Sequence, residues 1–201
     1  MVAIIDYGMG NVASVQKALN FLNVKSVITS EHSVIRDSSI ILLPGVGSFA
    51  QGMENLNERN LVNLLTEEVM IKQKPFLGIC LGMQLIMERG NEPYECKGLS
   101  WIEGEVKKIE LLDLNIPHMG WNNIQVLNNK YYNNLENSDF YFIHSYHVET
   151  TNDQDIAATV NYGFDVVASV QKDNIFATQF HPEKSQSAGL SLLKTFFDLN
   201  A

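Results

Sequence analysis

With 201 residues, 45% hydrophobic and 18% charged, the chain has the size and balance of one globular domain over 1–201 with a substantial core. A net charge of -9 and a pI near 4.9 argue against nucleic acid or an anionic membrane surface as the main partner. No apolar run approaches the roughly 20 residues of a membrane span, and two cysteines in unlike contexts make no disulfide framework, so a cytoplasmic protein is expected.

Val2-Ala3-Ile4-Ile5-Asp6 is short and nearly all apolar, as a strand buried on both faces requires. Gly8, Gly10 and Asn11 form the loop after it, which lacks the third glycine of a dinucleotide fingerprint. Val12, Val15, Ala18, Leu19 and Leu22 then recur at helical spacing. Strands are expected over 26–29 and over 39–43, the second stopped by Pro44. Leu61, Leu64, Leu65 and Val69 share one helical face. Strands alternating with helices through glycine loops predict a parallel sheet covered on both sides.

Pro75-Phe76-Leu77-Gly78-Ile79-Cys80-Leu81-Gly82-Met83-Gln84 comes next. Phe76, Leu77 and Ile79 read as the end of a buried strand and 83–88 as the first turns of a helix. Between them Cys80 has a glycine two residues away on each side. That is the strand–tight turn–helix pattern of a nucleophile elbow. The turn needs small neighbours because side chains at Gly78 and Gly82 would crowd a strained nucleophile. The following helix points its N-terminus at the sulfur and favours a thiolate and any oxyanion beside it.

Beyond the elbow helix the pattern changes. Residues 90–98 are polar and loop-like, 99–109 and 122–127 read as short strands, and 131–139 as an Asn-rich turn region. Further strands are expected over 140–143, 148–150, 157–161, 166–171 and 175–180. A helix over 188–199 closes the chain with Leu190, Leu193, Phe196 and Phe197 inward. The second half thus adds a β-rich layer to an α/β core, without repeats or linkers.

A nucleophilic cysteine needs a base, an orienter for that base and an oxyanion site. Of the five histidines, His32 lies in an early loop or helix without an evident partner. His118 sits in the loop Pro117-His118-Met119-Gly120-Trp121, and His144 and His147 flank Ser145-Tyr146 at a strand end. His181 follows the run 175–180 and precedes Pro182-Glu183. A histidine at the carboxyl end of a strand lies on the edge where α/β sheets place their sites. Pro182 stiffens the turn, and Glu183 can reach back to orient the ring. Alone, a His-Pro-Glu triplet is a common solvated loop; beside a glycine-flanked cysteine it reads as base and orienter. Pro44-Gly45-Val46-Gly47-Ser48 ends the strand before the elbow strand, where a glycine-rich turn can aim backbone N–H groups at a carbonyl over Cys80. A plain turn stays open there, and no Lys-Ser/Thr follows to make a phosphate loop. Cys96 has no Cys or His at ligand spacing, so no metal site is expected.

Together, Pro44-Gly45-Val46-Gly47, the Cys80 elbow and Gln179-Phe180-His181-Pro182-Glu183-Lys184-Ser185 resemble the class I (triad) glutamine amidotransferases. Ile5-Asp6-Tyr7-Gly8-Met9-Gly10-Asn11, Lys97-Gly98-Leu99, Pro117-His118-Met119-Gly120-Trp121-Asn122 and Phe142-Ile143-His144-Ser145-Tyr146 narrow the resemblance. They are similar to the glutaminase subunits of imidazole glycerol phosphate synthases, of histidine biosynthesis. The likeness spans essentially the whole chain and implies a flavodoxin-like parallel/mixed sheet flanked by helices. It implies Cys80 as nucleophile, His181 as base and Glu183 as its orienter, with a γ-glutamyl thioester as intermediate. Oxyanion donors are then the backbone of Leu81 and of Gly45, Val46 and Gly47. L-glutamine is held by Gln84, by Glu92 on its amino group, and by backbone near Ser145 and Tyr146 on its carboxylate. No cofactor is implied. Ammonia crosses to a separate (β/α)8 cyclase/synthase subunit in a heterodimer, faced by Trp121, Asn122, Tyr141 and Lys184; ordinary packing is the alternative for Trp121 and Tyr141. The chain has no length for a second catalytic domain, which places the acceptor chemistry in another chain. Paralogues with the same triad supply ammonia for acetamidino-sugar formation in surface polysaccharides; residues 128–137 and the strands after Thr150 are where partner preference would differ. An inert stabilising subunit and a free-standing Cys hydrolase are the readings from other classes, and an intact Cys80, His181 and Glu183 speak against the first.

Overall fold

The computed structural model describes residues 1–128, 130–136 and 138–201; Asn129 and Asn137, both in the Asn-rich segment expected to bear on partner preference, lie outside the described residues. In chain order the elements are β1 (Val2–Ile5), α1 (Val12–Phe21), β2 (Ser26–Thr29), α2 (His32–Asp37), β3 (Ile40–Gly45) and α3 (Phe49–Glu58). Then come α4 (Leu61–Thr66), which runs into a π-helical turn at Glu67–Ile71, β4 (Phe76–Cys80), α5 (Leu81–Leu85), β5 (Met87–Gly90) and β6 (Cys96–Lys97). The second half holds β7 (Ile102–Lys108), β8 (His118–Val126), β9 (Asp139–His144), β10 (Tyr146–Thr150), β11 (Ile156–Asn161), β12 (Asp165–Lys172), β13 (Ile175–Thr178) and α6 (Gln186–Leu199).

Among the described residues the main sheet has nine strands, ordered β2-β1-β3-β4-β13-β12-β11-β8-β9. It is parallel from β2 to β13 and antiparallel from there to β9. A smaller sheet, β10-β7-β5-β6, is not laddered to it but shares its core: Met87, Ile102, Val106 and Val148 cluster with Val167, Val170 and Ile175. The expected α/β class with a β-rich addition is therefore found, as a mixed sheet. Both faces of its parallel half are buried, which explains why β1 and β3 are apolar throughout. Ala3, Ile5, Ile41 and Leu43 pack with residues of α3 and α4, whereas Val2, Ile4, Ile40 and Leu42 pack with residues of α1 and α6.

Several expectations need correction. Pro44 does not stop its strand; it lies inside β3, opposite Ile79 of β4. The β1 ladder on the other side of β3 ends at Leu42, so the missing N–H of Pro44 interrupts no ladder on that flank. The elbow helix begins at Leu81 and ends at Leu85, and Glu88 already belongs to β5. So short a helix has little macrodipole, and any help to the sulfur comes from its first N–H groups. His118 opens β8, paired with His144, and is not in a loop. Leu190 is half-buried, and Leu192 takes its place in the core. Helix α3 is an addition to the expected elements: Phe49, Met53 and Leu56 stand at i, i+4 and i+7 and are buried together with Ala50 and Gly52.

What brings His181 to the elbow is an aromatic cluster. Phe180 stacks at 4.2 Å from Phe140 and lies 5.6 Å from Phe142, both of β9, one residue before His181. The His181 N–H donates to the Tyr141 carbonyl at 2.9 Å, and the Ser185 hydroxyl donates to the His181 carbonyl at 2.6 Å while accepting from the Tyr141 N–H at 3.0 Å. Truncating fully buried Phe180 to alanine should cost about 3–5 kcal/mol of unfolding free energy, read from the urea midpoint at constant slope.

Candidate active site

Cys80 closes β4 with φ 53 and ψ -106, a conformation costly for a non-glycine residue. Both flanking glycines are required by contact. A Cβ on Gly82 would lie 1.9 Å from the Leu43 carbonyl oxygen of β3, and one on Gly78 2.9 Å from the Gly82 carbonyl oxygen. The helix start is thus pressed against the neighbouring strand, and the turn holds Cys80, itself only 6% exposed, at the carboxyl ends of the parallel strands.

Beside Cys80 opens a cavity of about 520 Å³. Leu81, Val46, Gly47, Gln84 and Glu92 line it, as do Ser145, Tyr146 and Lys184, so most of the expected site residues share one space. Gly45 does not line it but pairs with Cys80 in the β3–β4 register. The loop of Gly45, Val46 and Gly47 rests on the one after β1. A Cβ on Gly10 would meet the Gly45 backbone at 3.0 Å, one on Gly47 would meet the Met9 methyl at 2.5 Å, and one on Gly45 the Tyr7 hydroxyl at 2.2 Å. The Gly8-Met9-Gly10 segment therefore serves as a floor for the glycine loop beside the cysteine.

His181 and Glu183 form the second half of the site. His181 Nδ1 lies 2.8 Å from Glu183 Oε1, and both side chains are almost wholly buried. His181 Nε2 is buried and has no hydrogen-bond partner of good geometry among the described residues, which leaves it free to exchange a proton. Burial disfavours the charged ring, but the nearby Cys80 side chain and Glu183 outweigh it and raise the pKa from 6.5 to about 9. Glu92 is half-buried at the cavity; burial raises its carboxyl pKa, and the Phe49 N–H partly offsets this.

Sequence reasoning misses two groups. Gln179, two residues before His181, donates from Nε2 toward Cys80 Sγ at 3.6 Å, and its Oε1 accepts from Gln84 Nε2 at 3.0 Å. Gln84 Nε2 also donates to the Tyr146 carbonyl at 3.1 Å, so Gln84 is tied into the wall as well as lining the cavity. The spacing of Gln179 from His181 at a strand end is the signal that could have found it. The second is His144, which lines the cavity together with Ser48, Pro117 and Ile143. On the outer face of the β8–β9 ribbon, Trp121 and Tyr141 are cross-strand partners with rings 6.0 Å apart, and Lys184 Nζ sits 5.9 Å from the Tyr141 ring. Asn122 lies on the opposite face, its amide donating to the Asn161 carbonyl at 3.1 Å. Among the described residues no group of three or more His, Cys, Asp or Glu is disposed to hold a metal ion, and no helix is long and apolar enough to cross a membrane.

A strained cysteine on an elbow, a buried His–Glu pair and a glycine loop at the cavity are features of an amidotransferase-type site, and the chain belongs to the family described as glutamine amidotransferase class-I, which matches residues 3–199. Within it, the chain is 50% identical over 202 residues to imidazole glycerol phosphate synthase subunit HisH 1 of Campylobacter jejuni (strain RM1221), covering 99% of this chain and 100% of that one. It is 44% identical to subunit HisH 2 of Vibrio vulnificus (strain YJ016), covering 98% and 94%. A solved glutamine amidotransferase shares the fold with a TM-score of 0.78 at 16% identity, covering 100% of this chain and 99% of that one.

A ring with a raised pKa stabilises the fold most below its ordinary value and loses that contribution as pH rises through the shifted one. Unfolding free energy should therefore fall between pH 6.5 and about 9, and Cys80→Ala, which removes one of the two groups that raise the pKa, should flatten that fall. Urea midpoints measured across this range check it; an unchanged slope in the variant would contradict the Cys80 contribution.

Proposed function

We propose that this chain is the glutamine-hydrolysing subunit of an imidazole glycerol phosphate synthase, acting as a single amidotransferase domain over 1–201. The observation that carries hydrolysis is Cys80 at φ 53 on the wall of a cavity beside a His181–Glu183 pair at 2.8 Å. The relatives identical at 42–50% supply the pathway.

His181 takes the thiol proton on Nε2, and Glu183 holds Nδ1–H so that Nε2 faces the sulfur. The Cys80 thiolate attacks the side-chain amide carbon of glutamine; a C–S bond forms and the carbonyl oxygen gains the charge. Backbone N–H groups of Leu81 and of Gly45, Val46 and Gly47 receive that oxyanion. His181 gives its proton to the departing nitrogen as the C–N bond breaks, and ammonia leaves a γ-glutamyl thioester. Water then attacks the thioester, delivers one proton to His181 and releases glutamate, and the proton returns to the Cys80 sulfur. Glu92 suits the α-amino group, because a cation beside it favours the carboxylate that burial disfavours. Gln84 and backbone near Ser145 and Tyr146 receive the rest of the substrate.

The acceptor chemistry belongs to a (β/α)8 synthase subunit docked over Trp121, Tyr141 and Lys184, with Asn122 on the underside of the same ribbon. Ammonia is mostly protonated and non-nucleophilic at neutral pH, so transfer between closed sites keeps it reactive. Cys80→Ala should lower glutamate release by the complex on the order of 10³-fold or more without loss of synthase binding. The chain alone should be a poor glutaminase, stimulated by the synthase with its substrate bound. High activity of the isolated chain, indifferent to any synthase, would overturn the partnered reading. Trp121→Ala should weaken synthase binding about tenfold or more in titration calorimetry, the usual size for a central aromatic anchor.

A further inference from the structure

The mechanism leaves three buried histidines unused, His118, His144 and His147, and the first two face each other. On the inner face of the β8–β9 ribbon, His118 and His144 are cross-strand partners, with His118 Nδ1 3.0 Å from His144 Nε2. His144 Nδ1 lies 2.9 Å from the Tyr146 carbonyl oxygen, and His118 Nε2 lies 3.4 Å from Asn122 Nδ2. The His118 ring is clamped between Phe142, at 4.8 Å and 20°, and Tyr162, at 4.0 Å and 22°.

Donor logic fixes the protons along this chain. A carbonyl oxygen only accepts, so His144 Nδ1 must carry hydrogen. With His144 neutral, its Nε2 is bare and accepts from His118 Nδ1–H. His118 Nε2 is then bare in turn and accepts from the Asn122 amide. A second proton on His144 would set two N–H groups against each other at 3.0 Å. Burial favours the uncharged state of both, lowering the pKa to about 4 for His118 and about 3 for His144. The chain ends on the oxygen that also receives Gln84 Nε2, and Gln84 reaches Cys80 through Gln179. Hydrogen bonds aligned in one direction polarise and stiffen one another.

We propose that His118 and His144 are positioning residues for glutamine binding: two neutral rings, each protonated on Nδ1, that hold the Tyr146 carbonyl and through it the Gln84 wall of the cavity. This rests on the glutaminase reading. The rings touch neither the sulfur nor the reacting amide, so their effect falls on the substrate's fit more than on bond breaking.

His118→Phe keeps a flat ring between Phe142 and Tyr162 and removes the donor to His144. In the complex with the synthase, KM for glutamine should rise about tenfold, the size of one buried hydrogen bond, with kcat within about threefold. His118→Asn, whose amide nitrogen falls near the place of Nδ1, should recover KM to within about threefold of the original. A folded His118→Phe chain with unchanged KM, or one that loses kcat alone, would overturn the proposal, as would an Asn variant no better than Phe. The ring tautomers give a test that needs no variant and no activity. In ¹⁵N-histidine spectra of the unmutated chain at pH 7, both rings should be neutral Nδ1–H forms, and an Nε2–H or charged ring at either position refutes the assignment. Glutamate release by the unmutated complex reports on the hydrolase reading, whereas tautomers and the KM difference report on this one.

Discussion

Cys80 keeps φ 53 only because the chain on both sides of it is held by contacts stronger than its strain. A residue in such a conformation costs about 1–3 kcal/mol relative to relaxed backbone. β4 before it is buried on every residue and laddered to β3 and β13. α5 after it is pressed so near to β3 that the Leu43 carbonyl fills the space a Gly82 side chain would need. Because β13 is the neighbour of β4, the turn that follows β13 delivers His181 to the same sheet edge. The glycine loop after β3 arrives from the other side. Cys80, His181 and the glycine loop thus lie at the ends of three adjacent parallel strands, and their mutual placement follows from the ladder between them.

Much of this is legible in the chain. β1, the start of β3 and the elbow strand are apolar runs of the right length, and a cysteine with a glycine two residues away on each side marks the turn that follows. The three short motifs that meet at the site are each readable, since they are fixed by turn chemistry that local sequence must satisfy. What sequence does not yield has physical reasons. Pro44 looks like a stop because a proline interrupts a ladder; it is harmless here since one flank of β3 is already free at that level. The elbow helix looks longer because 83–88 is a good helical sequence, yet Glu88 is drawn into β5 by pairing with β7, and tertiary pairing overrides propensity. His118 looks like loop because its neighbours are Pro117 and Gly120; its strand is defined by β9, whose partnership no local window contains. Gln179 is a polar side chain two residues before His181, a spacing that hints at the site, while the sulfur it faces comes from a strand 99 residues away in sequence.

Four of the five histidines are comparably buried, yet they separate into electrostatic kinds. His181, His118, His144 and His147 are each below a tenth exposed. Desolvation pulls all four toward the neutral form. Only His181 has a carboxylate on one nitrogen and a thiol near the other, and these reverse the sign. His118 and His144 face each other, a carbonyl and an amide, groups that satisfy a neutral ring and give nothing back to a charged one. Neighbours alone therefore favour a charged ring at His181 and neutral rings at His118 and His144.

The β8–β9 ribbon joins these two functions to the outside. Side chains alternate along it, so Met119, Trp121, Tyr141 and Ile143 lie on one face and His118, Asn122, Phe142 and His144 on the other. Met119 and Trp121 are 63% and 47% exposed, apolar surface that a chain of net charge -9 leaves uncovered next to the cavity mouth. Ile143 reaches both regions, since it lines the cavity and its carbonyl lies 4.0 Å from the Cys80 sulfur. Under the proposed docking, a partner on the outer face would press on the same two strands whose inner face carries the histidine chain to Tyr146. Side chains alternate at period two along each strand, so a change of register moves both faces together. The proposed docking outside and substrate fit inside would then be linked through the ribbon itself.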